Sequence, residues 1–88
     1  MTASNITVSV RFFARLREAL DTDQLSMELP TGSNAGQVLE TLARRGGEWS
    51  QLTGGTPLMI AVNQAMARPS TPLNNNDEVA VFPPVTGG

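Results

Sequence analysis

The sequence predicts an α+β domain in which a mixed sheet of about four or five strands packs on one main helix. Several short runs alternate apolar and polar residues, as half-buried strands do. One longer stretch repeats apolar residues at helical spacing. Only about ten residues separate the first two predicted strands, which favours an antiparallel pair over a parallel crossover.

The N-terminal third predicts a strand, a short helix and a second strand. The first strand covers residues 6–12 and places alternate apolar residues on one face. Phe13 is an exception, because it is apolar yet falls on the polar face. Residues 14–20 then predict a short helix and residues 21–23 a turn. The second strand ends at Pro30, which cannot donate to a ladder.

The main helix has a clear start and a clear stop. Asn34 is a favourable N-cap, and Gln37 stands three residues later, where a capping box needs it. Gly46 and Gly47 should end the helix. The apolar stripe expected to pack on the sheet consists of Ala35, Val38, Leu39, Leu42 and Ala43.

The next stretch is predicted to be irregular, and we expect its tryptophan, Trp49, to form a lid over a small core. A third strand is predicted over residues 58–62. Asn63-Gln64 should then turn the chain into a short fourth strand over residues 65–67. In the following loop, Asn76 could take a left-handed backbone, which asparagine tolerates better than most residues.

The last predicted strand, residues 78–82, stops at Pro83 and Pro84, because neither proline has an N–H to donate. Two prolines favour a stiff, extended neck. Gly87 and Gly88 carry no side chain and give the widest backbone freedom. We therefore expect a thin, flexible tip that presents the Gly88 carboxylate to a narrow channel in another protein.

Apolar residues are also expected on the outer face of the sheet, which the main helix does not cover. They are Phe13, Met59, Ala61, Ala80 and Phe82. Large apolar groups on a face exposed to water indicate a partner surface. Alternatively, the short helix or loops could cover Phe13 and Phe82. The position of Phe82 directly before the tail favours partner binding by Phe82, Phe13, Met59 and Ala80.

Composition restricts the chemistry of the chain. The 88 residues suit one domain, predicted over residues 1–82, with a functional arm over residues 83–88. Histidine, cysteine and lysine are absent, so the usual metal ligands, general base and nucleophiles are missing. We therefore expect no catalysis by this chain alone, and no bound metal or cofactor. A net charge of −2 argues against a nucleic-acid partner, and no apolar run could span a membrane, so cytoplasmic location is expected.

The tail, Phe82-Pro83-Pro84-Val85-Thr86-Gly87-Gly88, resembles that of the small, sulfur carrier subunit of molybdopterin synthase. Other matching segments are Val10 to Ala14, Leu16 to Glu18, Trp49, Ala61 to Gln64, Pro72-Leu73 and Asp77 to Val79. The resemblance covers nearly the whole chain. One departure is Asn76, where this family often has glycine.

The resemblance implies a β-grasp, ubiquitin-like fold with a flexible C-terminal Gly-Gly tail. It implies that an E1-like adenylyltransferase uses ATP to adenylate Gly88, and that a sulfur donor protein converts the glycyl adenylate to a thiocarboxylate (1-thioglycine). Residues 83–87 would be recognised as the tail enters the large synthase subunit, in a heterotetramer of two small and two large subunits. There the sulfur would convert cyclic pyranopterin monophosphate to molybdopterin, with the catalytic residues on the large subunit.

Three other interpretations remain open from the residues. The chain could carry sulfur for thiazole formation in thiamine synthesis, with the same chemistry at Gly88. It could be a ubiquitin-like modifier whose Gly88 forms isopeptide bonds with target lysines. It could also be an interaction module whose two terminal glycines are incidental.

Overall fold

The computed structural model describes residues 4–55 and 58–83, and within them it contains five strands, two α-helices and one 3-10 helix. Their bounds in chain order are β1 Asn5–Phe12, α1 Ala14–Leu20, β2 Gln24–Pro30, α2 Ala35–Ala43, the 3-10 helix Gly47–Thr53, β3 Met59–Val62, β4 Ala65–Ala67 and β5 Glu78–Phe82. The strands form one sheet in the order β2-β1-β5-β3-β4. The predicted α+β class is confirmed.

The sheet is mixed because one of its four strand pairs is parallel. β1 and β2 pair in antiparallel fashion, as their short connection predicted. β1 and β5 pair in parallel, with Phe12 opposite Val81. β3 pairs in antiparallel fashion with both β5 and β4. β5 is therefore the central strand, with its two neighbours fixing its position on both sides.

The core lies between the inner face of the sheet and α2. Alternate residues of β1 and β5 enter it, as the strand periodicity predicted. The largest fully buried side chains are Phe12, Leu42, Val8, Val10, Val38, Val79 and Val81. The stripe predicted for α2 is buried as well, apart from the half-buried Ala43 at its end.

The predicted capping box of α2 is present. The Asn34 side-chain oxygen accepts a hydrogen bond from the Gln37 N–H at 3.0 Å. The Gln37 side-chain oxygen accepts from the Asn34 N–H at 2.9 Å. The helix ends at Ala43, and Gly46 follows with a positive φ of 78°.

The stretch predicted to be irregular is instead a 3-10 helix, Gly47–Thr53, so that prediction was wrong. The Ser50 hydroxyl and the Gln51 amide donate to the carbonyls of Gly47 and Glu48, at 2.7 and 2.8 Å. These local bonds stabilise a short helix whose sequence has no long apolar period. Trp49 is a lid over the core, as expected: its ring meets Phe12 edge-on, with centroids 5.6 Å apart.

The two predicted asparagine turns are also confirmed. Asn63 and Gln64 have φ of 51° and 70° and join β3 to β4, while Asn76 has φ of 71°. The Asn63 side chain donates to the buried Asp77 carboxylate at 2.9 Å and accepts from the Glu78 N–H at 2.9 Å. The β3–β4 turn is thereby tied to the start of β5.

Candidate functional site

Two phenylalanines meet on the outer face, where the parallel strands β1 and β5 end. Phe13 follows β1 directly, and Phe82 is the last residue of β5. Their rings pack edge-on, with centroids 5.9 Å apart and planes at 88°. Phe13 is 39% exposed and Phe82 is half-buried, so α1 does not cover this pair. Together they line a shallow cavity of about 310 Å³.

Met59 and Ala80 extend this apolar surface across the sheet. Met59 stands opposite Phe82 in the β3–β5 register, and Ala80 stands opposite Ala61. Met59 and Ala80 are both half-buried, so part of each remains accessible. The structure therefore brings all four predicted partner-binding residues onto one face, although they come from β3, from β5 and from the residue that follows β1.

Ala61 was also predicted on this exposed face, but it is only 7% exposed. It lies opposite Met66 on one side and Ala80 on the other. Because an alanine side chain is short and β3 is flanked by a strand on each side, little of it reaches solvent. Ala61 therefore has little accessible surface with which a partner could make contact.

Met66 belongs to the same surface and was not predicted. It is 63% exposed and stands opposite Ala61 in the β3–β4 register. The two-residue turn at Asn63-Gln64 makes Val62 and Ala65 partners, which fixes Met66 on the face of Ala61. Turn length was thus a signal that could have identified it. We call Phe13, Met59, Met66, Ala80 and Phe82 the outer-face patch.

A charged pair borders the patch. The Arg11 guanidinium lies 3.5 Å from the Glu78 carboxylate, and both side chains are partly exposed. The Arg11 Cζ is also 5.5 Å from the centroid of the Phe13 ring. An exposed ion pair adds little stability. An apolar centre with a polar rim is the usual anatomy of a protein interface.

The root of the predicted arm lies beside the patch. Pro83 follows Phe82, is half-buried, and lines a cavity of about 290 Å³ together with residues of α1 and the 3-10 helix. The other predicted tail residues, Pro84, Val85, Thr86, Gly87 and Gly88, lie outside the described residues. The structure thus shows the position of Pro83, the residue at which the predicted arm starts.

In residues 4–55 and 58–83, no three His, Cys, Asp or Glu side chains come together as metal ligands would. Neither α1 nor α2, nor any other helix in these two ranges, has the length and apolarity to cross a bilayer.

The family model for the ThiS family matches residues 10–88. The chain belongs to the ThiS family. Among the relatives of this ThiS family chain is the molybdopterin synthase sulfur carrier subunit of Haemophilus influenzae, which is 37% identical over 92% of this chain and 99% of the relative. The Escherichia coli protein of the same name is 36% identical over 92% of this chain and 99% of that protein. The resemblance to this group is confirmed.

Solved structures identify the fold of this ThiS family chain. The small archaeal modifier protein 1 of Methanosarcina acetivorans matches with a TM-score of 0.76 and 26% identity over 97% of this chain and 99% of that one. A Helicobacter pylori complex of subunits 1 and 2 of molybdopterin-converting factor matches with a TM-score of 0.65, 23% identity, and coverage of 94% and 100%. Caldiarchaeum subterraneum ubiquitin matches at 0.59 with 9% identity over 97% and 100%. The fold is therefore the ubiquitin-like β-grasp.

Proposed function

We propose that this chain is the sulfur carrier subunit of a molybdopterin synthase. One observation carries the proposal: in a member of the ThiS family, the strand that leads into the Gly-Gly tail ends inside an exposed apolar patch. A carrier needs a surface that a partner grips and an arm that enters the partner's active site. The 37% identity to a sulfur carrier subunit supports the same function.

The reactive group in this proposal is the carboxylate of Gly88. A carboxylate is a poor electrophile, so an E1-like activating enzyme first joins it to AMP. A carboxylate oxygen attacks the α-phosphorus of ATP, and pyrophosphate leaves. A sulfur donor protein then supplies sulfur at the sulfide oxidation level. This sulfur attacks the acyl carbon, the bond to AMP breaks, and the product is a thiocarboxylate. Glycine at positions 87 and 88 leaves that carbon unshielded.

Sulfur delivery then takes place in the large synthase subunit. The thiocarboxylate sulfur attacks a carbon of cyclic pyranopterin monophosphate and displaces an oxygen substituent. Water then hydrolyses the acyl–sulfur bond, which leaves the sulfur on the pterin and returns Gly88 as a carboxylate. Two such deliveries build the dithiolene of molybdopterin. The sequence of this chain contains no histidine, cysteine or lysine, so we assign proton transfer and substrate binding to the large subunit. Two small and two large subunits would form the complete enzyme.

The outer-face patch would hold the carrier during both reactions. Six residues follow Phe82, and an extended chain of that length reaches ~20 Å. A partner that grips the patch therefore finds the tip of the arm within that distance. Burying Phe13, Phe82 and Met66 also supplies the apolar centre that a specific interface needs.

Intact mass tests the chemical step. The chain is incubated with an activating enzyme of this pathway, ATP and a sulfur source. We expect its mass to rise by the difference between sulfur and oxygen, and fragmentation should place the change at Gly88. A variant without Gly88 is the matched control and should keep its mass and its melting temperature. An unchanged mass for the wild-type chain, with an activating enzyme that modifies its own carrier, would refute the proposal.

The likeness to small archaeal modifier protein 1 favours a second candidate, a ubiquitin-like protein modifier. The same adenylate at Gly88 would then react with a lysine amine of a target protein, and an isopeptide bond would form as AMP leaves. Both candidates share the first step, so the product separates them. Conversion of cyclic pyranopterin monophosphate to molybdopterin by the thiocarboxylated chain and a large subunit supports the carrier. Conjugates at target lysines without molybdopterin would support the modifier.

A further inference from the structure

Ala14 has a backbone conformation that alanine rarely adopts. Its φ is 55°, in the left-handed region, although it is the first residue of α1. In residues 4–55 and 58–83, the other non-glycine residues with positive φ are Asp21, Asn63, Gln64 and Asn76. Each of those has a polar side chain and lies in a turn or at a helix end. Alanine has no such group, and its Cβ crowds the following carbonyl in this conformation.

The unusual angle lets the chain leave β1 and enter α1 within one residue. Phe13 is still extended, with φ of −131° and ψ of 157°, which continues the direction of β1. The Phe13 carbonyl already accepts from the Leu16 N–H at 3.2 Å. Leu16 is 3% exposed and packs in the core. The chain must therefore reverse between a side chain on the outer face and another side chain in the core.

The reversal fixes where the Phe13 ring lies. Phe82 meets that ring edge-on at 5.9 Å, and the Arg11 guanidinium lies 5.5 Å from its centroid. A freer residue after Phe13 would let the start of α1 shift and carry the ring away from Phe82. A ring already held in its binding position loses less freedom when a partner covers it.

We propose that Ala14 is a positioning residue, whose left-handed backbone holds Phe13 in the outer-face patch ready for a protein partner with an apolar surface. The inference rests on the proposed function, because it takes the patch as the docking surface of the carrier. In this view the local strain at Ala14 is retained for binding, at the expense of stability. Strained backbone angles at binding sites are a known means of pre-organisation.

The test substitutes glycine at two positions of α1. In Ala14→Gly, glycine accepts a positive φ without strain, so the melting temperature should equal or exceed that of the wild type. Ala19→Gly is the matched control. Ala19 lies within α1 without a positive φ, so glycine there should lower the melting temperature. Despite its stability, Ala14→Gly should bind a large synthase subunit roughly threefold to tenfold more weakly, and proton–proton contacts between Phe13 and Phe82 should weaken in NMR spectra.

Each result decides something different. A melting temperature of Ala14→Gly below the wild type, as for Ala19→Gly, would show that Ala14 holds no strain and would overturn the inference. Unchanged binding and unchanged ring contacts would overturn the positioning role, even if stability rises. If the wild-type chain itself does not bind the large subunit, that result refutes both the proposed function and the docking role of the outer-face patch. Phe13→Ala, measured beside them, should lose more affinity than Ala14→Gly.

Discussion

Phe12 and Phe13 are adjacent in sequence but lie on opposite faces of the sheet, and this makes them a sharp test of the patch. Phe12 is 1% exposed and Phe13 is 39% exposed. The same chemical change, phenylalanine to alanine, therefore removes a core side chain at one position and a surface side chain at the next. We expect Phe12→Ala to reduce stability and Phe13→Ala to reduce partner binding.

The expected magnitudes follow from the contacts of each ring. Truncating a buried phenylalanine costs about 3–5 kcal/mol. A domain melts about 4–8 °C lower for each kcal/mol lost, so Phe12→Ala should melt more than about 12 °C below the wild type, or not fold at all. Phe13→Ala loses an edge-on contact and a cation–π contact. These are worth about 1–2 kcal/mol together at an exposed site, so its melting temperature should fall much less.

The assay pairs two measurements on each variant. Circular dichroism gives the melting temperature, and calorimetric titration with a large synthase subunit gives the affinity. Truncation of an aromatic side chain at the centre of an interface typically costs about 2 kcal/mol or more, so Phe13→Ala should bind at least about thirtyfold more weakly. Equal loss of stability in the two variants would place Phe13 in the core. Unchanged affinity of Phe13→Ala would show that the patch is not the docking surface.

Three further substitutions test other parts of the structure. Met66→Asp should weaken binding to the large subunit without lowering the melting temperature, because the side chain is 63% exposed in the patch; unchanged affinity would remove Met66 from the interface. Asp77→Ala should lower the free energy of unfolding, measured in urea, by about 1–3 kcal/mol, because it leaves the Asn63 amide without its carboxylate acceptor. The control is Glu28→Ala, an exposed substitution that should change this free energy little. Asn34→Ala should lower the free energy of unfolding by about 1 kcal/mol, because it removes the side-chain cap of α2. A smaller loss in Gln37→Ala would show that the Asn34 side chain contributes more to the capping box than the Gln37 side chain does.

The sequence was sufficient for elements whose signal is local. The alternation along β1 and the cap at Asn34 each depend on residues only a few positions apart in the sequence. The turn at Asn63-Gln64 and the positive φ at Asn76 followed from residue type in the same way. The tail motif likewise needed no tertiary information to indicate the family.

The features that sequence reasoning missed leave no periodic pattern and no residue-type signal, even where the residues that form them are close along the chain. Ala61 follows the strand alternation, but it is buried because β4 and β5 flank it on both sides, which alternation alone does not indicate. The 3-10 helix is too short for an apolar period, and side-chain bonds to its own carbonyls stabilise it. The left-handed backbone at Ala14 arises because Phe13 and Leu16 must occupy different layers, and alanine itself gives no sign of it.

The position of β5 explains how one small domain can couple docking to delivery in the proposed function. β5 is the central strand, and its residues alternate between the core and the patch. Val79 and Val81 are fully buried, while Ala80 and Phe82 face outward. A register shift of one residue would exchange these two sets, at the cost of exposing two core valines, so packing fixes the register. Phe82, and with it the root of the tail, therefore keeps a fixed position relative to any partner that grips the patch.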